Sequence, residues 1–124
     1  MSKKNLYLIQ AGFAFDRSLY FPCAAGALAA YALQDNEIRE RYAFKDFIFR
    51  REKLDEVVGR MENPALAGFS CCVWNYEYNK ALAKKVKAAY PECVIVFGGH
   101  NVTPGGALLQ TEEYVDVLIH GEGE

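Results

Sequence analysis

Two stretches of this chain, Leu66 to Val73 and Cys93 to Phe97, are apolar at nearly every position over the length of a β-strand. A strand that reads this way must be covered on both faces, because successive side chains point to opposite sides of a sheet. Between the two runs, Asn75 stands where a helix cap belongs. After it, Tyr78, Leu82, Val86 and Ala89 form one apolar stripe, with Lys80, Lys84, Lys85 and Lys87 turned towards solvent. Buried strand, amphipathic helix, buried strand is the signature of a parallel sheet with right-handed crossovers.

The remaining segments fit the same alternation. Leu6 to Ile9 is a short apolar run ending in Gln10-Ala11-Gly12, a first strand and its loop. Pro22 opens an alanine-rich helix over Ala24 to Asn36. Tyr42, Phe44, Phe47 and Phe49 mark a β-prone second strand, and Glu52 to Met61 is a short helix with Leu54, Val57 and Val58 on one face, stopped at Asn63-Pro64. Thr103-Pro104 reads as the cap and first turn of a further helix, and Val115 to Ile119 as a fifth strand. The prediction is an α/β fold of Rossmann-like (flavodoxin-like) type, a five-stranded parallel sheet of order 2-1-3-4-5 with helices on both faces. Such folds normally cover the last strand with one more helix, so residues 1–124 are expected to be one domain cut from a longer protein.

Composition narrows the function. Lys and Arg number 14 against 16 for Asp and Glu, a net charge of −2, which provides no basic face for nucleic acid. No apolar run reaches the roughly 18 residues of a membrane span, and the amino end is too short for a secretory signal. A cytoplasmic protein with neither nucleic acid nor membrane as partner is expected. Cys23, Cys71, Cys72 and Cys93 lack the paired spacings of a zinc site and read as buried free thiols. The C-x-x-x-C-x-x-C run that holds a radical iron-sulfur cluster is absent from these 124 residues.

In an open parallel sheet the ligand sits beyond the carboxyl ends of the strands, where strand order reverses, here between the first and third strands. The loops gathered there are Gln10 to Phe21, Trp74 to Tyr76 and Gly98 to Thr103. Phe13, Phe15, Tyr20, Phe21, Trp74 and Tyr76 give the first two an aromatic density suited either to a broad apolar ligand or to a neighbouring domain. Gly98-Gly99 serves either a close backbone approach to a ligand or a tight turn. Ser70, the only hydroxyl in the third strand, needs a partner there, a ligand or the backbone. His100 is a ligand, a base or a hydrogen-bonded surface residue. Candidate cofactor-binding residues are Gly12 and Phe13 after the first strand, Ser70, Cys72, Trp74 and Asn75 around the end of the third, and Gly98, Gly99 and His100 after the fourth. No catalytic residue and no metal ligand is identified. The third strand ends without the carboxylate of a phosphate-accepting receiver, and the first loop lacks the hydroxyls of a flavodoxin. There is no G-x-G-x-x-G and no P-loop for a nucleotide.

Taken together, Gly68-Phe69-Ser70-Cys71-Cys72-Val73-Trp74-Asn75, then Val96-Phe97-Gly98-Gly99-His100, then His120-Gly121-Glu122-Gly123-Glu124, resemble the amino-terminal cobalamin-binding domain of cobalamin-dependent radical S-adenosylmethionine (SAM) enzymes. The likeness covers almost the whole chain. It implies a Rossmann-like domain that holds cobalamin. A carboxyl-terminal radical SAM domain of the same polypeptide, carrying S-adenosylmethionine and an iron-sulfur cluster, would follow the G-E-G-E sequence, and methyl transfer is the activity implied for the whole. The present residues alone would then be non-catalytic. On this resemblance Ser70 meets the nucleotide tail of cobalamin, and Gly98 and Gly99 let that tail lie along the backbone. The better-known cobalamin domains carry D-x-H-x-x-G after the first strand, whose His ligates cobalt. Gln10-Ala11-Gly12-Phe13-Ala14-Phe15 stands there instead, which implies binding without a protein His and an open or watered lower face. The other reading is a cofactor-free docking module of the same fold.

Overall fold

The computed structural model describes residues 3–12, 22–100, 102, 109 and 111–120. Five strands, β1 (Lys4–Ile9), β2 (Tyr42–Phe44), β3 (Pro64–Ser70), β4 (Val94–Gly98) and β5 (Val117–Leu118), form one sheet of order β2-β1-β3-β4-β5. Every pairing is parallel, so the sheet and its order are those expected from the sequence. The helices are α1 (Cys23–Ala32), α2 (Asn36–Arg41), α3 (Leu54–Arg60) and α4 (Tyr76–Ala89).

The two faces of the sheet are finished differently. On one, Tyr7, Ile9, Ala67, Phe69, Ile95 and Phe97 join Val57 of α3 and Leu82, Ala83 and Val86 of α4 in a single buried cluster. Phe69 and Phe97 stack at 5.2 Å between ring centroids, and Tyr76 meets Phe97 edge-on at 6.4 Å. On the other face Leu8, Leu66, Gly68, Ser70, Val96 and Gly98 are only half-buried, and α1 stands over them. Gln10 Oε1 accepts the Ala25 N–H at 3.0 Å and so ties the start of α1 to the end of β1.

Several boundaries differ from the sequence reading, each for a local reason. The helix expected over Ala24 to Asn36 stops at Ala32. Asp35 Oδ1 accepts from Glu37 N and Ile38 N at 2.9 and 3.1 Å, and starts α2 as a separate element. The third strand ends at Ser70 and not at Val73, because the Cys72 N–H turns away to Asn75 Oδ1 at 2.7 Å. Asn75 occupies the N-cap position of α4 but its side chain makes no cap bond, its amide being committed elsewhere. The buried face of α4 carries Asn79 and Ala83, while Ala89 is exposed. The second strand is short, though Ile48 beyond it is buried and bridges Ile9 in the same parallel sense. Cys71 and Cys93 are buried free thiols and Cys72 is half-buried, but Cys23, at the exposed start of α1, is not buried. The helix expected from Thr103-Pro104 and the G-E-G-E segment lie outside the described residues. Among those described, no helix is long and apolar enough to cross a membrane.

Candidate functional site

The gap between α1 and the half-buried face of the sheet is a groove of about 610 Å³, within the roughly 300–1,000 Å³ typical of small-molecule sites. Its floor is Leu8, Leu66, Gly68, Val96 and Gly98, and its wall is built from Ala24, Ala27 and Leu28 of α1. Three strands contribute to it because β1, β3 and β4 are adjacent, with Gly68 paired to Leu8 on one side and Val96 on the other. The wall is low because its residues are alanines. Helix α1, Cys-Ala-Ala-Gly-Ala-Leu-Ala-Ala-Tyr-Ala, buries only Ala25 and Ala29, and leaves Leu28 40% exposed.

Ser70 closes the groove at the carboxyl end of β3. Its hydroxyl has no hydrogen-bond partner among the described residues, while its carbonyl accepts from Asn75 Nδ2 at 2.9 Å and Asn79 Nδ2 at 3.1 Å. The only side-chain hydroxyl on the groove floor is therefore available to a ligand, and its backbone is held from behind.

The two adjacent glycines have separate reasons to be glycine. Gly99 has φ +105°, and a Cβ there would lie 2.7 Å from Cys71 O and 2.9 Å from Cys71 N, so the chain itself requires it. At Gly98 a Cβ would meet Ile119 Cβ at 3.6 Å, an ordinary contact, so among the described residues nothing forbids a Cβ there. What a side chain at Gly98 would occupy is the groove. Gly68 is intermediate, with Leu8 Cδ2 at 3.1 Å from its notional Cβ.

The other sequence candidates lie off the groove. Gly12 donates its N–H to Phe49 O at 3.1 Å in the loop after β1. Asn75 is 1% exposed and points inward, while Cys72 beside it is half-buried. Trp74 is half-exposed and His100 is exposed, both just beyond the carboxyl ends of their strands. Phe13, with Phe15, Tyr20 and Phe21, lies outside the described residues. Tyr76 is turned into the core against Phe97, with Lys80 Nζ 4.9 Å from its ring centroid. Sequence reading did not find Gly68 as floor or α1 as wall, although a glycine inside a buried strand and a helix apolar on every side were signals of both.

Among the described residues the groove offers apolar contacts and one strand hydroxyl to a ligand. Burial pushes the thiols of Cys71 and Cys93 up to about 11, with Asn79 pulling Cys71 back and Lys87 pulling Cys93 back, and burial raises Cys72 as well. At neutral pH these are protonated, weakly nucleophilic groups. Among the described residues no three His, Cys, Asp or Glu converge to hold a metal ion. An apolar slot with two glycines in its floor and the Ser70 hydroxyl at one end suits a largely apolar small molecule that carries a polar group.

No protein-family model matches the chain. Over 106 residues, 85% of its length, it is 38% identical to the cobalamin-dependent radical SAM methyltransferase TokK of Streptomyces tokunonensis. Over the same number of residues it is 35% identical to the 2-(S-pantetheinyl)-carbapenam-3-carboxylate methyltransferase of Streptantibioticus cattleyicolor. The chain spans only 16% of the length of each of these curated relatives.

Proposed function

We propose that residues 1–124 form the cobalamin-binding domain of a cobalamin-dependent radical SAM methyltransferase, the kind of enzyme that the chain is similar to over the one segment it shares with its relatives. The observation that carries this reading is the groove itself, about 610 Å³ of mainly apolar space with Gly98 left free of any internal need to be glycine. The residues that would hold the nucleotide tail of cobalamin are the alanines of α1 and the backbone of Gly68 and Gly98, with Ser70 Oγ placed to hydrogen-bond it. The corrin ring would spread over the carboxyl edge of the sheet, where Trp74 and His100 stand exposed beside the loop residues Gly12, Cys72, Asn75 and Gly99, and Phe13, outside the described residues, is assigned to the same site by resemblance alone.

When bound, cobalamin supplies a cobalt-carried methyl group. The chain's part is to bind and orient it. Neither exposed His occupies the place that a cobalt ligand would take after β1, where Gln10 instead fixes Ala25 of α1. That supports a cofactor whose lower face takes no protein His. In the complete polypeptide a carboxyl-terminal radical SAM domain, with S-adenosylmethionine and an iron-sulfur cluster, would cover the corrin and carry out methyl transfer. Four free cysteines suit a reducing compartment such as the cytoplasm, and the partner proposed is the second domain of the same polypeptide.

The test is to incubate the complete gene product with hydroxocobalamin, desalt it and record the visible spectrum of the protein fraction. Stoichiometric colour with a base-off spectrum is expected. A colourless protein fraction would instead favour a docking module that keeps the fold without the cofactor.

A further inference from the structure

Behind the groove floor, two carboxamides are buried together where a core would ordinarily be apolar. Asn75 is 1% exposed and Asn79 is fully buried. Asn75 uses all of its amide: Nδ2 donates to Ala11 O and to Ser70 O, both at 2.9 Å, and Oδ1 accepts the Cys72 N–H at 2.7 Å. Asn79 Nδ2 donates to Ser70 O at 3.1 Å and lies 3.3 Å from Asn75 Oδ1 and 3.4 Å from Cys71 Sγ. Its Oδ1 is buried with no partner among the described residues.

An orphaned acceptor in a core is a cost that a leucine at the same position would not carry. Turning the amide over would cost more than it relieves, since Oδ1 would then face two acceptors, Ser70 O and Asn75 Oδ1, with only the weak thiol donor of Cys71 at 3.4 Å. The position is thus organised around donation to Ser70 O. That carbonyl begins the peptide unit whose nitrogen, Cys71 N, donates to Gly98 O at 2.7 Å and packs against Gly99. One pair of side chains therefore fixes the junction where Ser70, Gly98 and Gly99 meet at the groove mouth.

We propose that Asn79, together with Asn75, is a positioning residue for cofactor binding, holding the Ser70 carbonyl so that the Ser70 hydroxyl faces the nucleotide tail of cobalamin. This rests on the reading that the groove takes that tail. Asn79 touches no ligand itself and acts through Ser70, which makes two specific demands on its variants. The harm of losing it should appear only for ligands that have a tail, and should vanish once the Ser70 hydroxyl is gone.

The experiment compares equilibrium binding of cobalamin and of cobinamide, the same corrin without the nucleotide tail, to the complete gene product and to Asn79→Leu, Ser70→Ala and the double variant. Asn79→Leu and Ser70→Ala should each weaken cobalamin by about fivefold to tenfold, the scale of one lost hydrogen bond, and leave cobinamide within about twofold. The double variant should be no worse than either single one. Equal losses for both ligands, or additive losses in the double variant, would overturn the positioning role and leave cobalamin binding intact as a function. A wild-type protein that binds neither ligand would sink the function reading itself. Asn79→Ala substitutes if the leucine variant does not fold, and failure of both to fold would show that Asn79 serves the fold and not the site.

Discussion

A methyl group placed on Gly98 meets Ile119 Cβ at 3.6 Å, whereas the same group on Gly99 falls 2.7 Å from a carbonyl oxygen on a backbone with φ +105°. The pair therefore separates binding from folding in one experiment. Gly98→Val should keep its urea midpoint close to wild type while cobalamin retention drops by roughly tenfold or more, about 1.4 kcal/mol. Gly99→Ala should lose about 1–3 kcal/mol of stability from strain alone. Denaturant titration beside a desalting assay checks both, and a Gly98→Val protein that retains cobalamin normally would remove this glycine from the site. In the sequence the two were indistinguishable, because a Gly-Gly after a buried strand reads equally as a turn and as a ligand approach. Ser70 was legible as a hydroxyl in need of a partner. Asn79 was not, because a polar residue amid a lysine-rich helix reads as solvent-facing, and only the end of β3 beneath it reveals the demand for a donor.

The helices show where sequence pattern sufficed and where it did not. Helix α4 was legible from its apolar stripe, and Lys85 and Lys87 on its outer side reach Asp55 at 2.9 Å and Asp116 at 2.7 Å. The break between α1 and α2 was missed because neither Gly nor Pro stands between Ala32 and Asn36 to mark it. What decides it is one carboxylate, Asp35, accepting two backbone N–H groups at the start of α2. Asp35→Ala should thus cost about 1 kcal/mol, read as a lower urea midpoint, because those donors lose their acceptor. No change in the midpoint would mean that α2 is held by its packing on β2 and not by its cap. The fold class survived this error because parallel order depends on the buried strands, and those were fixed by continuous apolar runs that leave little freedom in how they pack.

The buried core and the proposed binding groove lie on opposite faces of the sheet, and the core side has a pH signature. Cys71 and Cys93, in the α3 and α4 layer, are both raised from about 9 to about 11 chiefly by burial. An acid whose folded-state value is raised holds its proton in the native protein while the unfolded chain releases it, so the native state loses stability as pH rises from 9 through 11. Below pH 9 this contribution is complete. The urea midpoint should therefore fall steadily between pH 8.5 and 10.5, and fall less in Cys93→Ala, where one of the two thiols is gone. An equal slope in that variant would assign the loss to other groups, with the raised Tyr76 and Tyr78 hydroxyls the next to examine.

The opposite face is where a cofactor would add stability. Helix α4 buries Asn79, Leu82, Ala83 and Val86 along its length, while α1 buries two alanines and stands over an apolar groove. In the free protein α1 should open more readily, because little apolar surface is lost from water when it closes. A ligand that fills the groove adds the missing contacts, and at a hundredfold excess over Kd it stabilises whatever it closes by about 2.7 kcal/mol. Hydrogen exchange of the complete protein with and without cobalamin should then show protection gained in α1 and at the carboxyl ends of β3 and β4. The amides of α4 should change little, since their opening already requires disruption of the core. Protection spread evenly over both faces would place the ligand elsewhere, and protection confined to the loops at the carboxyl edge would mean that the corrin binds while its tail stays out of the groove.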